Sequence, residues 1–203
     1  MASILEKYPQ VYVLADEIYD QLIFEGEACS IATMPGMRER TIILDGFSKT
    51  YAMTGWRIGY GVMDKALAEH MEMLMVNSNS CTAAFTQMAA IEALTGPQDS
   101  VDVMREAFRQ RRNYIVDALN QIEGIRCRLP RGAFYVFPDI SSYGIPEVEF
   151  CKRLLDEGGV ATAWGTSFGS YGKGYMRLSC VTSMENLQEA SLRIREFCDR
   201  LRK

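Results

Sequence analysis

The sequence is almost without histidine, since His70 is the only one among its 203 residues. A catalytic triad or a metal cluster built on several histidines is therefore excluded. If the protein carries out proton chemistry, lysine, tyrosine or carboxylate side chains must do it.

Long hydrophobic runs and excess positive charge are also missing. No apolar stretch approaches the roughly 18 residues that a membrane span requires. Lys and Arg number 22 against 26 Asp and Glu, and this weakly acidic balance gives no reason to expect nucleic acid or anionic lipid as a partner. With 48% hydrophobic and 24% charged residues, the chain also differs in composition from disordered proteins. We expect a globular protein with no nucleic-acid and no membrane partner.

The six cysteines include no C-x-x-C pair that would indicate a redox or zinc motif. We expect buried, reduced thiols rather than disulfides, no metal site and a cytoplasmic location. Residues 1–7 lack a long apolar core and are not expected to form a secretory signal. The cysteines are Cys29, Cys81, Cys127, Cys151, Cys180 and Cys198.

Strands and helices are mixed along the whole chain, which predicts an α/β class with an α+β portion after about residue 100. The predicted strands are 11–15, 41–44, 57–62, 125–129, 133–137, 160–163 and 175–179. The predicted helices are one capped by Asp64, then 83–94, 101–122, 147–157 and a last one opened by a Thr182–Glu185 capping box. We expect Leu67, Met71, Leu74 and Met75 to share one face of the first of these helices. The basic cluster 109–112 is interpreted as a solvated helix face.

Two domains are predicted, over residues 1–99 and 100–203. The first supplies only three strands, whereas an open parallel sheet usually has five or six. We therefore expect the chain to be the C-terminal part of a larger protein.

Charged residues follow the first two predicted strands, at the edge where open α/β sheets bind ligands. Asp16 follows the first strand and Lys49 the second. Small and aromatic neighbours surround Lys49, and a partly desolvated lysine amine is suited to Schiff-base formation. Arg57 follows eight residues later, and its guanidinium is suited to bidentate binding of a phosphate. The alternatives are a helix cap for Asp16 and an exposed loop lysine for Lys49.

Motifs at residues 16–19, 48–60, 132–135, 165–169 and 175–179 resemble the fold-type-I pyridoxal-phosphate enzymes, in the class I/II aminotransferase branch. They occur in the family's order and span essentially the whole chain. Residues 52–57 are most similar to the prokaryotic-type aspartate aminotransferases. The resemblance implies the C-terminal part of the large cofactor domain, with a mostly parallel sheet and helices, followed by a small α+β domain.

The resemblance also implies roles for single residues toward pyridoxal 5'-phosphate. Lys49 matches the lysine that holds the cofactor as a Schiff base and moves the substrate Cα proton. Asp16 matches the carboxylate at the pyridine nitrogen, and Tyr19 the phenol at the ring oxygen. Ser48 and Arg57 match phosphate ligands.

Arg177 matches the residue that binds the substrate α-carboxylate in the family. The alternative is a strand arginine that extends to solvent. One departure from the family is Gly46, which stands where some relatives carry a phosphate-binding hydroxyl three residues before the lysine.

The implied activity is transfer of an amino group between an amino acid and a 2-oxo acid, in a homodimer. The alternatives are another enzyme of this fold, such as a C–S lyase, a decarboxylase or a cyclopropane-carboxylate synthase, or a non-catalytic interaction module. We expect the 203-residue chain alone to bind cofactor weakly, to lack turnover, and to self-associate through its first block or keep that block loosely ordered.

Overall fold

The computed structural model describes residues 1–202, and its chain divides into two units, Met1–Val103 and Met104–Lys203. The helices are α1 (Ala2–Leu5), α2 (Lys65–Ser78), α3 (Ala84–Thr95), α4 (Asp99–Asn120), α5 (Glu147–Gly158) and α6 (Met184–Leu201). The strands are β1 (Val13–Asp16), β2 (Thr41–Gly46), β3 (Gly59–Val62), β4 (Tyr135–Val136), β5 (Ala163–Trp164) and β6 (Met176–Ser179). Among the described residues, no helix is both long enough and apolar enough to cross a membrane.

The first unit contains a three-stranded sheet in the order β1-β2-β3. Strands β1 and β2 are parallel, and β3 runs antiparallel to β2 with Gly46 opposite Gly59. The carboxyl ends of β1 and β2 and the beginning of β3 therefore lie at one edge of the sheet. All three strands fall within two residues of their predicted boundaries.

Helix α2 begins where the sequence predicts, because the Asp64 carboxylate accepts a hydrogen bond from the Ala66 backbone N–H at 2.9 Å. Its apolar face is not buried, however. No residue of α2 is buried, and Leu74 is 63% exposed. The apolar spacing thus predicted the helix correctly, but a helical period does not provide the surface against which the face would pack.

The second unit has a sheet in the order β4-β6-β5, with β6 antiparallel to both neighbours. The predicted strand at 125–129 is wrong: within the described part of the chain, it pairs only through an isolated bridge between Arg126 and Asp139. The Asn120 side chain explains why: its amide donates to the Cys127 carbonyl at 2.9 Å, and its oxygen accepts from the Cys127 N–H at 2.8 Å. A side chain therefore occupies the backbone groups that a partner strand would need.

Three helices supply much of the core of the second unit. Many of its largest fully buried side chains come from α4, α5 and α6, where apolar residues recur at helical spacing. They include Ile115, Leu119, Phe150, Leu154, Ile194 and Phe197. The rings of Phe150 and Phe197 meet edge to face at 5.1 Å between centroids.

Two details of these helices differ from the predictions. Arg112 is not on a solvated face: it is 2% exposed and donates to the Pro130 carbonyl and to the Asn113 side-chain oxygen. The last helix is capped by Ser183, whose hydroxyl accepts from the Asn186 N–H at 3.2 Å. Thr182 instead accepts a hydrogen bond from the Asn186 side chain, so the predicted capping box is wrong by one residue.

The cysteines divide into two groups. Cys127, Cys151, Cys180 and Cys198 are buried free thiols, as predicted. The prediction of burial is wrong for Cys29 and Cys81, which are exposed. Both of these lie in irregular segments outside the helices and strands, where apolar neighbours in sequence do not guarantee a core in space.

Candidate active site

Asp16 is the last residue of β1 and lies at the sheet edge described above. It is exposed, and its Oδ1 accepts a hydrogen bond from the Ile18 N–H at 3.3 Å, which turns the chain as it leaves the strand. The half-buried Tyr19 follows in this turn. Asp16 and Tyr19 line the same small cavity of about 210 Å³, together with Cys29 and Ser30.

Lys49 lies in the turn that follows β2, beyond the same edge of the sheet. Both Lys49 and Ser48 are half-buried, and the Ala52 N–H donates to the Lys49 carbonyl at 3.4 Å. The turn is anchored by Phe47, which is 3% exposed and packs in a cluster with Met53 and Ala90. The buried Phe47 ring, two residues before Lys49, therefore fixes the backbone that carries Lys49.

A hydrogen-bonded pair at the end of β2 supports this turn. The Tyr60 hydroxyl donates to Asp45 Oδ2 at 2.7 Å, while Asp45 Oδ1 accepts from the Gly46 N–H at 2.6 Å. Burial and the bond to Asp45 raise the pKa of Tyr60. The Tyr60 ring also lies edge to face with Phe47 at 5.9 Å. Sequence reasoning missed this pair, because Asp45 and Tyr60 become neighbours only in the register of β2 and β3.

Gly46 is required by the close approach of β2 and β3. A Cβ added to Gly46 would lie 2.8 Å from the Gly59 Cα and 3.1 Å from the Ile58 carbonyl oxygen. No side chain fits there without moving backbone, which gives a physical reason for the absence of a hydroxyl at this position.

Arg57 lies just before β3, at the same edge of the sheet, and is exposed. Its backbone is in the left-handed region with φ 53°, which is uncommon for a residue with a side chain. Its guanidinium donates to the Thr54 carbonyl at 2.9 Å. Arg57 lines a groove of about 720 Å³ with Trp56, Cys81 and Thr86, separate from the Asp16 cavity.

Arg177 belongs to the second unit and lies on β6, the central strand of that sheet. It is half-buried, and its guanidinium carbon lies 4.3 Å from the Tyr135 ring centroid and 4.0 Å from the Phe168 ring centroid. The structure thus brings Asp16, Tyr19, Ser48, Lys49 and Arg57 to one edge of the first sheet. It places Arg177 between aromatic rings of the second unit.

Comparisons with known proteins agree on one family. The family model for aminotransferase class I and II matches residues 1–194. The chain is 37% identical to the aspartate aminotransferase of Rhizobium meliloti over 213 residues, covering 99% of this chain and 52% of that protein. It is 39% identical to the aspartate/prephenate aminotransferase of Nitrosomonas europaea over 207 residues, covering 96% and 52%.

A solved structure gives the same result. The crystal structure of the aromatic aminotransferase of Pyrococcus horikoshii superposes with a TM-score of 0.94 at 36% identity, covering 98% of this chain and 54% of that one. The chain spans about half the length of the curated relatives it matches. Over that half it has the α/β fold of the fold-type-I aminotransferases. Family model, sequence identity and superposition together show that the chain belongs to the aminotransferase class I and II family.

Proposed function

We propose that the protein represented by this chain is a pyridoxal-phosphate-dependent aminotransferase that moves an amino group between an amino acid and a 2-oxo acid. The observation that carries the proposal is the collection of Asp16, Lys49 and Arg57 at one edge of the first sheet. Family membership supports it, because aminotransferases of class I and II generally depend on this cofactor.

The donor set fits a phosphorylated pyridine aldehyde. Lys49 offers a primary amine for the aldehyde carbon, and Asp16 a carboxylate for the ring nitrogen. Arg57 offers a guanidinium for the phosphate dianion, and the Tyr19 phenol and the Ser48 hydroxyl add neutral hydrogen-bond donors. These five residues thus offer an amine, a carboxylate, a guanidinium and two hydroxyl donors to the cofactor.

In the proposed mechanism, each residue has one task. When bound, the cofactor supplies a carbonyl for Schiff-base formation and a ring that withdraws electrons from the substrate Cα. Lys49 would hold the cofactor through its side-chain amine and, with the substrate bound, would move the Cα proton. Asp16 holds the proton on the pyridine nitrogen, because its negative charge favours the protonated ring.

Positioning falls to the other residues. Ser48 and Arg57 bind the phosphate, Tyr19 donates to the ring oxygen, and Arg177 binds the substrate α-carboxylate through its two parallel N–H groups. We further propose that residues 1–99 belong to the large cofactor domain and residues 100–203 to the small domain. The whole protein would act as a cytoplasmic homodimer. The relatives described above are named for different substrates, so the proposal specifies the substrates only as amino acids and 2-oxo acids.

The direct test is covalent labelling of the chain. Incubation with saturating pyridoxal phosphate, borohydride reduction and peptide mapping should place the pyridoxyl group on Lys49. A Lys49→Arg variant should lose this label. A Lys65→Arg variant is the matched control, since the Lys65 side chain is 90% exposed and pairs with Glu69, and it should label like the unmodified chain. Saturable label on Lys65 or Lys173 instead would overturn the assignment.

The role of Arg177 is tested separately in the cofactor-loaded whole protein, because the 203-residue chain alone is expected to lack turnover. Arg177→Lys keeps the charge but loses the planar fork. The KM for the amino acid should rise by about tenfold or more, because bidentate carboxylate binding is lost. Labelling of Lys49 should stay unchanged. An unchanged KM would contradict carboxylate binding by Arg177.

A further inference from the structure

We propose that Phe168 and Tyr135 are positioning residues for Arg177, whose rings hold the guanidinium so that only its N–H edge meets a carboxylate. This inference rests on the proposed function, because it explains how Arg177 is held in place to bind the substrate α-carboxylate. Neither aromatic residue would touch the reacting atoms, and both would act through Arg177.

Tyr135 reaches Arg177 through the register of the second sheet. Tyr135 on β4 is opposite Ser179 on β6, and Arg177 is two residues before Ser179 on the same strand. Residues two apart on a strand share a face, and diagonal neighbours across two strands are within reach of long side chains. The guanidinium carbon accordingly lies over the Tyr135 ring at 4.3 Å from its centroid.

Phe168 approaches from a different element. It ends a short turn, Gly165–Phe168, that directly follows β5, and its ring centroid is 4.0 Å from the Arg177 guanidinium carbon. The Phe168 ring also meets Phe137 edge to face at 6.2 Å, and Phe137 is stacked on Tyr175 at 5.4 Å. Phe168 is therefore held by a second aromatic contact as well as by Arg177.

The turn that carries Phe168 is anchored by a buried carboxylate. Glu147 is 6% exposed. Its carboxylate accepts one hydrogen bond from the Thr166 hydroxyl at 2.7 Å and another from the Gly174 N–H at 3.3 Å. The Gly165 N–H donates to the Tyr175 carbonyl at 2.8 Å. The position of the Phe168 ring is thus determined by fixed backbone on both sides of the turn.

Two ring faces against one guanidinium have a defined chemical effect. Aromatic faces attract the cation, and in the proposed arrangement the two rings lie against the faces of the guanidinium plane, which carry no donors. The N–H donors all lie in that plane, so the edge that pairs with a carboxylate stays available. A long arginine side chain also loses rotamer freedom when it binds, and holding it beforehand removes part of that loss from the binding step.

The first arm of the test is NMR of the arginine Nε–H groups in the 203-residue chain, which needs neither cofactor nor activity. The Arg177 resonance is assigned by its loss in Arg177→Lys. We expect it to be shielded by the rings, and Phe168→Leu and Tyr135→Leu should each shift it downfield. Tyr171→Leu is the matched control, because Tyr171 is on the following turn and is 98% exposed. It should leave the resonance in place. A resonance that is unshielded, or that does not move in the two leucine variants, overturns the inference.

The second arm is steady-state kinetics of the cofactor-loaded whole protein, which carries the same residues. Phe168→Leu should raise the KM for the amino acid about tenfold and change kcat by less than about twofold, because the loss concerns ground-state and transition-state binding alike. Phe168→Tyr keeps the ring face and should restore both the KM and the NMR shift, which a loss of folding would not allow. If Phe168→Leu leaves the KM unchanged while Arg177→Lys raises it, the inference alone is wrong. If Arg177→Lys also leaves the KM unchanged, carboxylate binding by Arg177 fails and the inference fails with it.

Discussion

The hydroxyl of Tyr60 donates to Asp45 across the β2–β3 pair, and the two residues are direct cross-strand partners. Asp45 at the same time accepts from the Gly46 N–H, one residue further toward Lys49. One carboxylate therefore joins β3 to the last residue of β2, just before the turn that carries Lys49. The pair is a structural support of the proposed site rather than part of its chemistry.

Removing the Tyr60 hydroxyl should loosen this support. We expect Tyr60→Phe to lower the free energy of unfolding by about 1 kcal/mol, the usual cost of one such bond at a partly exposed position. Chemical denaturation of the chain measures it. Tyr8→Phe, at another exposed tyrosine, is the control and should have little effect. Equal stability of Tyr60→Phe and Tyr8→Phe would contradict the support role.

The close contact at Gly46 predicts a sharp difference between two glycines. Gly46→Ala forces a Cβ against the Gly59 backbone, and such overpacking should destabilise the chain by about 2 kcal/mol. Gly55→Ala is the matched control, since nothing lies within 4 Å of a Cβ added there. Thermal unfolding of both variants checks the prediction, and a Gly46→Ala chain as stable as Gly55→Ala would contradict it.

Thiol reactivity should separate the six cysteines into two that react fast and four that react slowly. Burial raises the pKa of Cys127, Cys180 and Cys198 to about 11, so almost none of their thiolate exists at pH 8. Burial also raises the pKa of Cys151. A thiol-specific chromogenic disulfide should therefore react quickly with two thiols at pH 8 and with all six after unfolding.

The fast thiols are assigned to the exposed Cys29 and Cys81. A chain with both replaced by serine should lose the fast phase entirely and keep the slow one. More than two fast thiols in the folded chain would show that the second unit is more open than described.

Acid should weaken the anchor of the Phe168 turn. Hydrogen bonds from Thr166 and from backbone N–H groups hold the pKa of Glu147 below its usual value of 4.5. A carboxyl whose pKa is lower in the folded state stabilises that state above its unfolded pKa, and the stabilisation is lost as the pH falls through the folded pKa. Glu147 should therefore contribute stability at pH 7 that disappears progressively below about pH 4.5.

The comparison of variants isolates this contribution. The stability difference between the unmodified chain and Glu147→Gln should shrink as the pH falls from 7 to 3. Glu149→Gln, on the same helix but exposed, should instead follow the unmodified chain over this range. A difference for Glu147→Gln that does not change with pH would exclude an ionised Glu147 as the anchor.

The exposed apolar side chains of α2 and α3 should make the chain self-associate. Met73, Leu74, Phe85 and Met88 are all exposed, and exposed apolar patches of this kind promote association. Light scattering should show a mass that rises with concentration. The double variant Met73→Glu, Leu74→Glu should reduce this rise, whereas Leu192→Glu on α6 should not. A constant monomer mass in the unmodified chain would contradict the prediction.

Local patterns predicted most elements, and the failures have a common physical origin. The helical period of α4 and α6 and the Asp64 cap depend on residues within one turn of each other, and these predictions are correct. Burial of Arg112 and loss of the 125–129 strand depend on partners at Pro130 and Asn120, which lie outside the pattern. The one-residue error at Ser183 arose because both Thr182 and Ser183 are good caps.

The proposed site shows the same division. The residues proposed to bind the cofactor stand in contiguous motifs, so the sequence alone is enough to propose them. The residues that hold them in place, Asp45 with Tyr60 and Phe168 with Tyr135, were not assigned roles. Their partners are joined by strand register and by a turn, and neither is visible until the chain is folded.

The order of strands in the second sheet sets the time at which it can form during synthesis. Its central strand, β6, is the last of the three along the chain, and among residues 1–202 it is the one strand with which β4 and β5 pair. On the ribosome, β4 and β5 must wait with unsatisfied edges until residue 179 has emerged. Arg177 lies on that same strand, so its guanidinium can contact Tyr135 only when β6 pairs with β4. A nascent chain arrested before β6 would therefore hold neither the sheet nor the arginine.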